Sequence, residues 1–128
     1  MFIGKPLIWF WMVLLMPQNR NKLIETFIGN LANSVLHSIL EKAIMQEEIA
    51  RKYHKELLTS LALAKKYREK INPGNPLPAK DVEYIRLKII RRVKSELNQR
   101  TAKGYTGIDM KMVEPLVDKN LREMKIME

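Results

Sequence analysis

NKLIETFIGNLANSVLHSILEKAIMQEEIARKYHKELLTSLALAKKYREKI, residues 21–71, is the stretch whose reading decides the fold. It contains no proline, and its one glycine is Gly29. Apolar side chains recur at Ile24, Ile28, Leu31, Val35, Ile39, Ile49, Tyr53, Leu57, Ala64, Tyr67 and Ile71. At 100° per residue these positions stay within one broad arc, which is the pattern of an amphipathic helix. The expectation is an all-α helical bundle built around one long helix over 21–71, straight or bent near 47–52. Its first half is the more apolar, because Phe27, Leu36, Leu40 and Ile44 widen the stripe. Gln46-Glu47-Glu48 and Arg51-Lys52 then interrupt it. The apolar spacing is close to the 3.6 residues of a straight helix, which favours a globular bundle over a two-stranded coiled coil.

Upstream, Leu7 to Met16 is an unbroken run of ten apolar residues. A helix apolar on every face is buried all round or sits in lipid. Phe2 to Met16 is too short for a bilayer, which asks for roughly 20 apolar residues. No small-residue cleavage site follows, as a secretory signal would require. Pro6 suits a first helical turn and Pro17 would stop the helix. Three readings compete: a buried core helix, a membrane-dipping segment, and an arm inserted into a neighbouring subunit. In the last two, Trp9, Phe10 and Trp11 are the contact residues.

Downstream, Asn72 to Pro78 holds three prolines and a glycine and ends the long helix. A third helix opens at Pro78 or Asp81 and runs to about Gln99, with Val82, Ile85, Ile89, Ile90, Val93 and Leu97 inward. Gly104-Tyr105-Thr106-Gly107 reads as a turn, or as a glycine-flanked approach to a phosphate backbone. Asp109 is an N-cap candidate for a last helix, with Ile108 and Val113 placed as a hydrophobic staple. Pro115 either kinks that helix or begins it. Nothing divides the chain into independent units, so residues 1–128 are expected to form a single helical domain.

The charge is uneven. Net charge is +9 over 128 residues, yet residues 1–50 are neutral and residues 104–128 carry −1. Residues 51–103 hold fifteen Lys and Arg against five acids, a net of +10. A block of this sign asks for a polyanionic partner, unless it is simply a solvated face. The candidate nucleic-acid contacts are Arg51, Lys52, Lys55, Lys65, Lys66 and Arg68 on the long helix. Lys88, Arg91, Arg92, Lys94, Arg100 and Lys103 follow on the third helix and beyond it.

Catalytic and metal motifs are lacking. Cysteine is absent, which excludes disulfides and thiolate metal sites. His37 and His54 have no ligand partner at helical spacing and read as solvated or capping side chains. Glu47 and Glu48 are adjacent on a helix and point apart. No phosphate loop and no nucleophile elbow is present. No enzyme activity and no cofactor are therefore expected.

The leading expectation is a non-enzymatic protein that binds nucleic acid through its backbone, without sequence reading, and self-assembles into homo-oligomers as a coating or packaging (nucleocapsid-like) protein. One alternative is a protein anchored on an anionic membrane by its apolar N-terminus. The other is a helical scaffold that docks on an acidic protein partner.

Overall fold

The computed structural model describes residues 4–72 and 76–127, with side chains from Arg20 onward. The described residues form four α-helices and no strand: α1 Gly4–Ala43, α2 Glu47–Lys70, α3 Ala79–Ala102 and α4 Val113–Glu123. A 3-10 turn over Met110–Met112 leads into α4.

Two expected boundaries are corrected. The helix over 21–71 is broken, because residues 44–46 leave the helical path and Gln46 is extended. The three-residue turn folds α2 back, so the two apolar stripes cover each other instead of facing water along one rod. Glu47 and Glu48 then stand in the first turn of α2, where carboxylates complement the positive end of the helix dipole. At the other end, α1 runs through Pro17 instead of stopping there. A proline in a helix interior removes one backbone donor, and the helix-favouring Leu14, Leu15 and Met16 before it let the turns continue. The readings of Leu7–Met16, including the contacts of Trp9, Phe10 and Trp11, lie outside the described side chains.

α1 is the centre of the bundle. It packs on α2 and α3 and also touches α4. Phe27, Leu31, Val35, Ile39 and Leu40 on α1 are buried against Ile85, Ile89, Val93 and Leu97 of α3 and Val113, Val117 and Leu121 of α4. Ion pairs set the directions. Glu41 meets His54, so α2 is antiparallel to α1. Glu25 meets Lys88 and Gly107 sits against Ala43, so α3 is parallel to α1. Arg86 meets Asp118 and Lys94 meets Glu114, so α4 is antiparallel to α3.

α3 ends in a Schellman turn. The Tyr105 amide donates to the Arg100 carbonyl and the Gly104 amide to the Thr101 carbonyl, with Gly104 at φ 100°. Gly104 is therefore a helix stop. α4 ends the same way: the Ile126 amide donates to Leu121 and the Lys125 amide to Arg122, with Lys125 at φ 58°. Asp109 caps the 3-10 turn, its carboxylate accepting from the Lys111 amide at 3.0 Å. Pro115 lies in the first turn of α4, where a missing N–H costs nothing.

α2 adds little to the fully buried core. It supplies only Ala64 there, and Ile49, Leu58 and Leu63 remain exposed. Its far end is tied down by Arg68. The guanidinium donates to the carbonyls of Ile71 at 2.6 Å, Met124 at 3.0 Å and Lys125 at 3.1 Å. One side chain thus joins the last turn of α2 to the turn that closes α4.

Candidate nucleic-acid interface

The cations of the basic block separate into those already engaged and those that are not. Arg51 pairs with Glu47, Lys88 with Glu25, Lys94 with Glu114 and Arg100 with Glu96. Arg68 departs from its expected place on the exposed face: it is 8% exposed and committed to backbone carbonyls. Among the described residues, Lys52, Lys55, Lys65, Lys66, Lys70, Lys80, Arg91, Arg92 and Lys103 have no acidic partner, and all nine are exposed. Helical spacing puts Lys52, Lys55, Lys65 and Lys66 on the outer face of α2. Arg91 lies on the outer face of α3, beside Ser95, Asn98 and Gln99 in a shallow concavity.

Between these two faces lies a feature that the apolar pattern did not announce. α2 and α3 both pack mainly on α1 and meet each other where Arg100 reaches Tyr53. A strip of α1 stays partly exposed between them. Lys22, Thr26, Gly29, Asn30, Asn33 and His37 recur at three- and four-residue spacing and form this strip; Lys22 is exposed and the others are half-buried. Fifteen residues at 1.5 Å give a strip about 22 Å long. Its side chains lie flat: the Thr26 hydroxyl donates to the Lys22 carbonyl at 2.8 Å, and the Asn30 amide to the Thr26 carbonyl at 2.9 Å.

Beside it, α3 carries Tyr84, Lys88 and Arg92 at i, i+4 and i+8. The Tyr84 hydroxyl donates to the Glu25 carboxylate at 3.0 Å, and the Lys88 ammonium stands 5.5 Å from the Tyr84 ring centroid. Arg92 reaches over Gly29: a Cβ there would come within 3.5 Å of its guanidinium nitrogen. At that distance a Cβ would make an ordinary contact, so the approach of Arg92 does not depend on the glycine.

His37 closes the far end. Its Nε2 meets the Glu56 carboxylate at 3.2 Å, and its ring packs against Tyr53 with centroids 5.4 Å apart. Nδ1 is buried with no hydrogen-bond partner in the structure. Arg100 and Tyr105 come in from the end of α3 and the turn after it. Both histidines meet glutamates across the α1–α2 turn, His37 with Glu56 and His54 with Glu41; His54 is exposed, as expected of a solvated side chain, whereas His37 is half-buried. These pairs exist only because the chain reverses at 44–46. Burial lowers the His37 pKa from 6.5, Glu56 opposes that shift, and Arg100 adds to it.

The direction of this shift fixes a pH dependence. An imidazole that protonates less readily when folded lets the unfolded chain bind more protons. The stability that neutral His37 contributes is present above pH 6.5 and is lost as pH falls from there through the lowered folded-state value. Thermal midpoints are expected to fall over that window, and His37→Gln is expected to remove the His37 share of the fall. A variant whose melting follows pH as the parent does would contradict this role for His37.

Burial likewise raises the Tyr53 hydroxyl pKa, helped by the adjacent Tyr105 hydroxyl. Tyr53 is therefore a neutral hydrogen-bonding group at the closed end. The described residues contain no cluster of three or more potential metal ligands. No helix among them is long and apolar enough to cross a membrane. Comparison with protein-family models, curated proteins and solved structures gave no match.

Proposed function

We propose that this protein binds nucleic acid through the phosphate backbone, without reading base sequence, and coats it in several copies. The observation that carries this reading is the set of nine exposed cations on α2, α3 and the turn after α3 that have no acidic partner among the described residues. Surface cations that serve only solubility are usually interspersed with acids. Here cations without a partner outnumber such acids, of which Glu48 and Glu69 on α2 and Glu83 on α3 are exposed. Each phosphate so neutralised releases condensed counterions, which gives affinity that falls steeply with salt. Base-specific contacts are not part of the proposal, since among the described side chains no helix N-terminus presents a set of bidentate amides or guanidines as groove readers do. Self-association through the apolar Leu7–Met16 belongs to the same proposal.

The protein as isolated from cells provides the test. Its absorbance ratio at 260 to 280 nm is expected to exceed that of protein alone and to fall after a high-salt wash. Light scattering is expected to show assemblies that break up with nuclease. A clean, salt-indifferent, monodisperse protein would contradict both parts. Recovery only with detergent or lipid would favour an anionic membrane as the partner.

A further inference from the structure

α1 is longer than the bundle it centres. Arg20 meets Asp81 in the first turn of α3, so α3 begins level with the Arg20 turn. α2 runs back from the Glu41–His54 and His37–Glu56 contacts, which brings its last residue, Lys70, level with the turn of Ile24. The Arg86–Asp118 and Lys94–Glu114 pairs bring the end of α4 level with the start of α3. Burial agrees, for the first buried residue of α1 among the described side chains is Ile24. Residues 4–19 therefore extend past the other three helices by about 24 Å. α1 is unbroken from Gly4 to Ala43, so this arm cannot fold back on its own bundle.

The arm carries the run Leu7–Met16, apolar on every side of a helix, so its cover has to come from outside the chain. A bilayer is a poor cover. The run is half of the roughly 20 residues a span needs, and Lys5 would follow it into hydrocarbon. A helix lying at the membrane surface has a charged face, which this run lacks. A second copy offers enough area. Trp9, Phe10 and Trp11 of two arms supply about 900–1,500 Å² at roughly 150–250 Å² per ring, where a specific interface needs about 1,000 Å². Sterics set the direction. Packed helices stand about 8–10 Å apart, yet each α1 is flanked by three helices about 10–12 Å across. Parallel arms would drive the two bundles into each other, whereas antiparallel arms set them at opposite ends. Each arm then points at the other copy's bundle end. There a pocket of about 960 Å³ opens among the last turn of α2, the start of α3 and the turn that closes α4. Leu77, Val82, Met124, Ile126 and Met127 line it, with charges of both signs beside them.

Resting on the self-association in the proposed function, we infer that two copies pair through antiparallel arms, each Leu7–Met16 run lying along its counterpart and its leading turns seated in the other copy's pocket. Matching the run to itself places the twofold axis between Trp11 and Met12, and the interface is isologous.

The chain has no cysteine, so single cysteines in the full-length protein report the pairing cleanly. Phe10→Cys, Trp11→Cys, Met12→Cys and Val13→Cys, one per variant, sample every side of the central turn. At least one is expected to give a disulfide-linked dimer under mild oxidation, because Cα atoms facing each other at the axis come within the roughly 7 Å a disulfide spans. Lys5→Cys is expected to give none, since its counterpart lies about 20 Å away along the arms. Ala79→Trp, an exposed change that fills the pocket, is expected to weaken dimerisation about tenfold in sedimentation. Linkage through Lys5→Cys as ready as at the central turn, or no linkage at any central position, would overturn the antiparallel pair. An Ala79→Trp protein that dimerises like the parent would overturn the seat in the pocket. Monomers that float with phosphatidylserine vesicles would overturn the pairing in favour of lipid. Linked dimers that bind no nucleic acid would leave the pairing standing and remove the backbone reading.

Discussion

Replacing Arg68 with leucine is expected to cost about 3–5 kcal/mol of folding stability, read as a lower urea midpoint. A buried acceptor left without its donor costs about 1–3 kcal/mol, and this substitution strands the carbonyls of Ile71, Met124 and Lys125 together. The loss is large against a total of about 5–15 kcal/mol for a domain. Its size follows from the position of Arg68 rather than from the general value of an arginine. α2 packs mainly on α1, and the guanidinium is its hydrogen-bonded link to the closing turn of α4. Arg68→Lys is expected to recover little of the loss, since an ammonium lacks the planar fork that serves several carbonyls at once. A change below about 1 kcal/mol would show that the end of α2 is held by other contacts.

Reversing Arg91 and Arg92 to glutamate is expected to weaken nucleic-acid binding about a hundredfold or more, with thermal stability nearly unchanged. Hydrogen bonds to charged groups contribute about 1.5–3 kcal/mol each, so two lost contacts amount to at least that factor. Both side chains are exposed and have no acidic partner among the described residues, and the core residues Ile89, Ile90 and Val93 face the other way. Binding retained by a folded double variant would remove α3 from the interface and leave only the outer face of α2.

Much of this architecture is legible in the sequence, and the illegible parts have physical causes. α3 was readable because a 3.6-residue apolar period follows a proline-glycine tract and runs without interruption to Leu97. The turn at 44–46 was not, because neither glycine nor proline marks it and Ile44 and Met45 extend the apolar run. Only the polar triplet Gln46-Glu47-Glu48 hinted at it, and a bend and a reversal leave the same mark. Arg68 carried a signal that charge alone obscured. It lies four residues after Ala64 and three before Ile71, inside the apolar stripe, where an arginine must find carbonyls. The strip from Lys22 to His37 is a polar file on α1 that the reading of the apolar stripe passed over. Which helices flank it depended on tertiary packing, so its surroundings could not be read from spacing. The His37–Glu56 and His54–Glu41 pairs were hidden for the same reason.

The central claim is that free cations on α2, α3 and the turn after α3 neutralise phosphates. Titrating a labelled single strand at a series of salt concentrations tests it most directly. Saturable binding is expected, with the logarithm of affinity falling linearly against the logarithm of salt at a slope of about −0.7 per phosphate contact. Four to seven contacts would give a slope between about −3 and −5. Undetectable binding at low salt, or binding that salt leaves unchanged, would contradict the account.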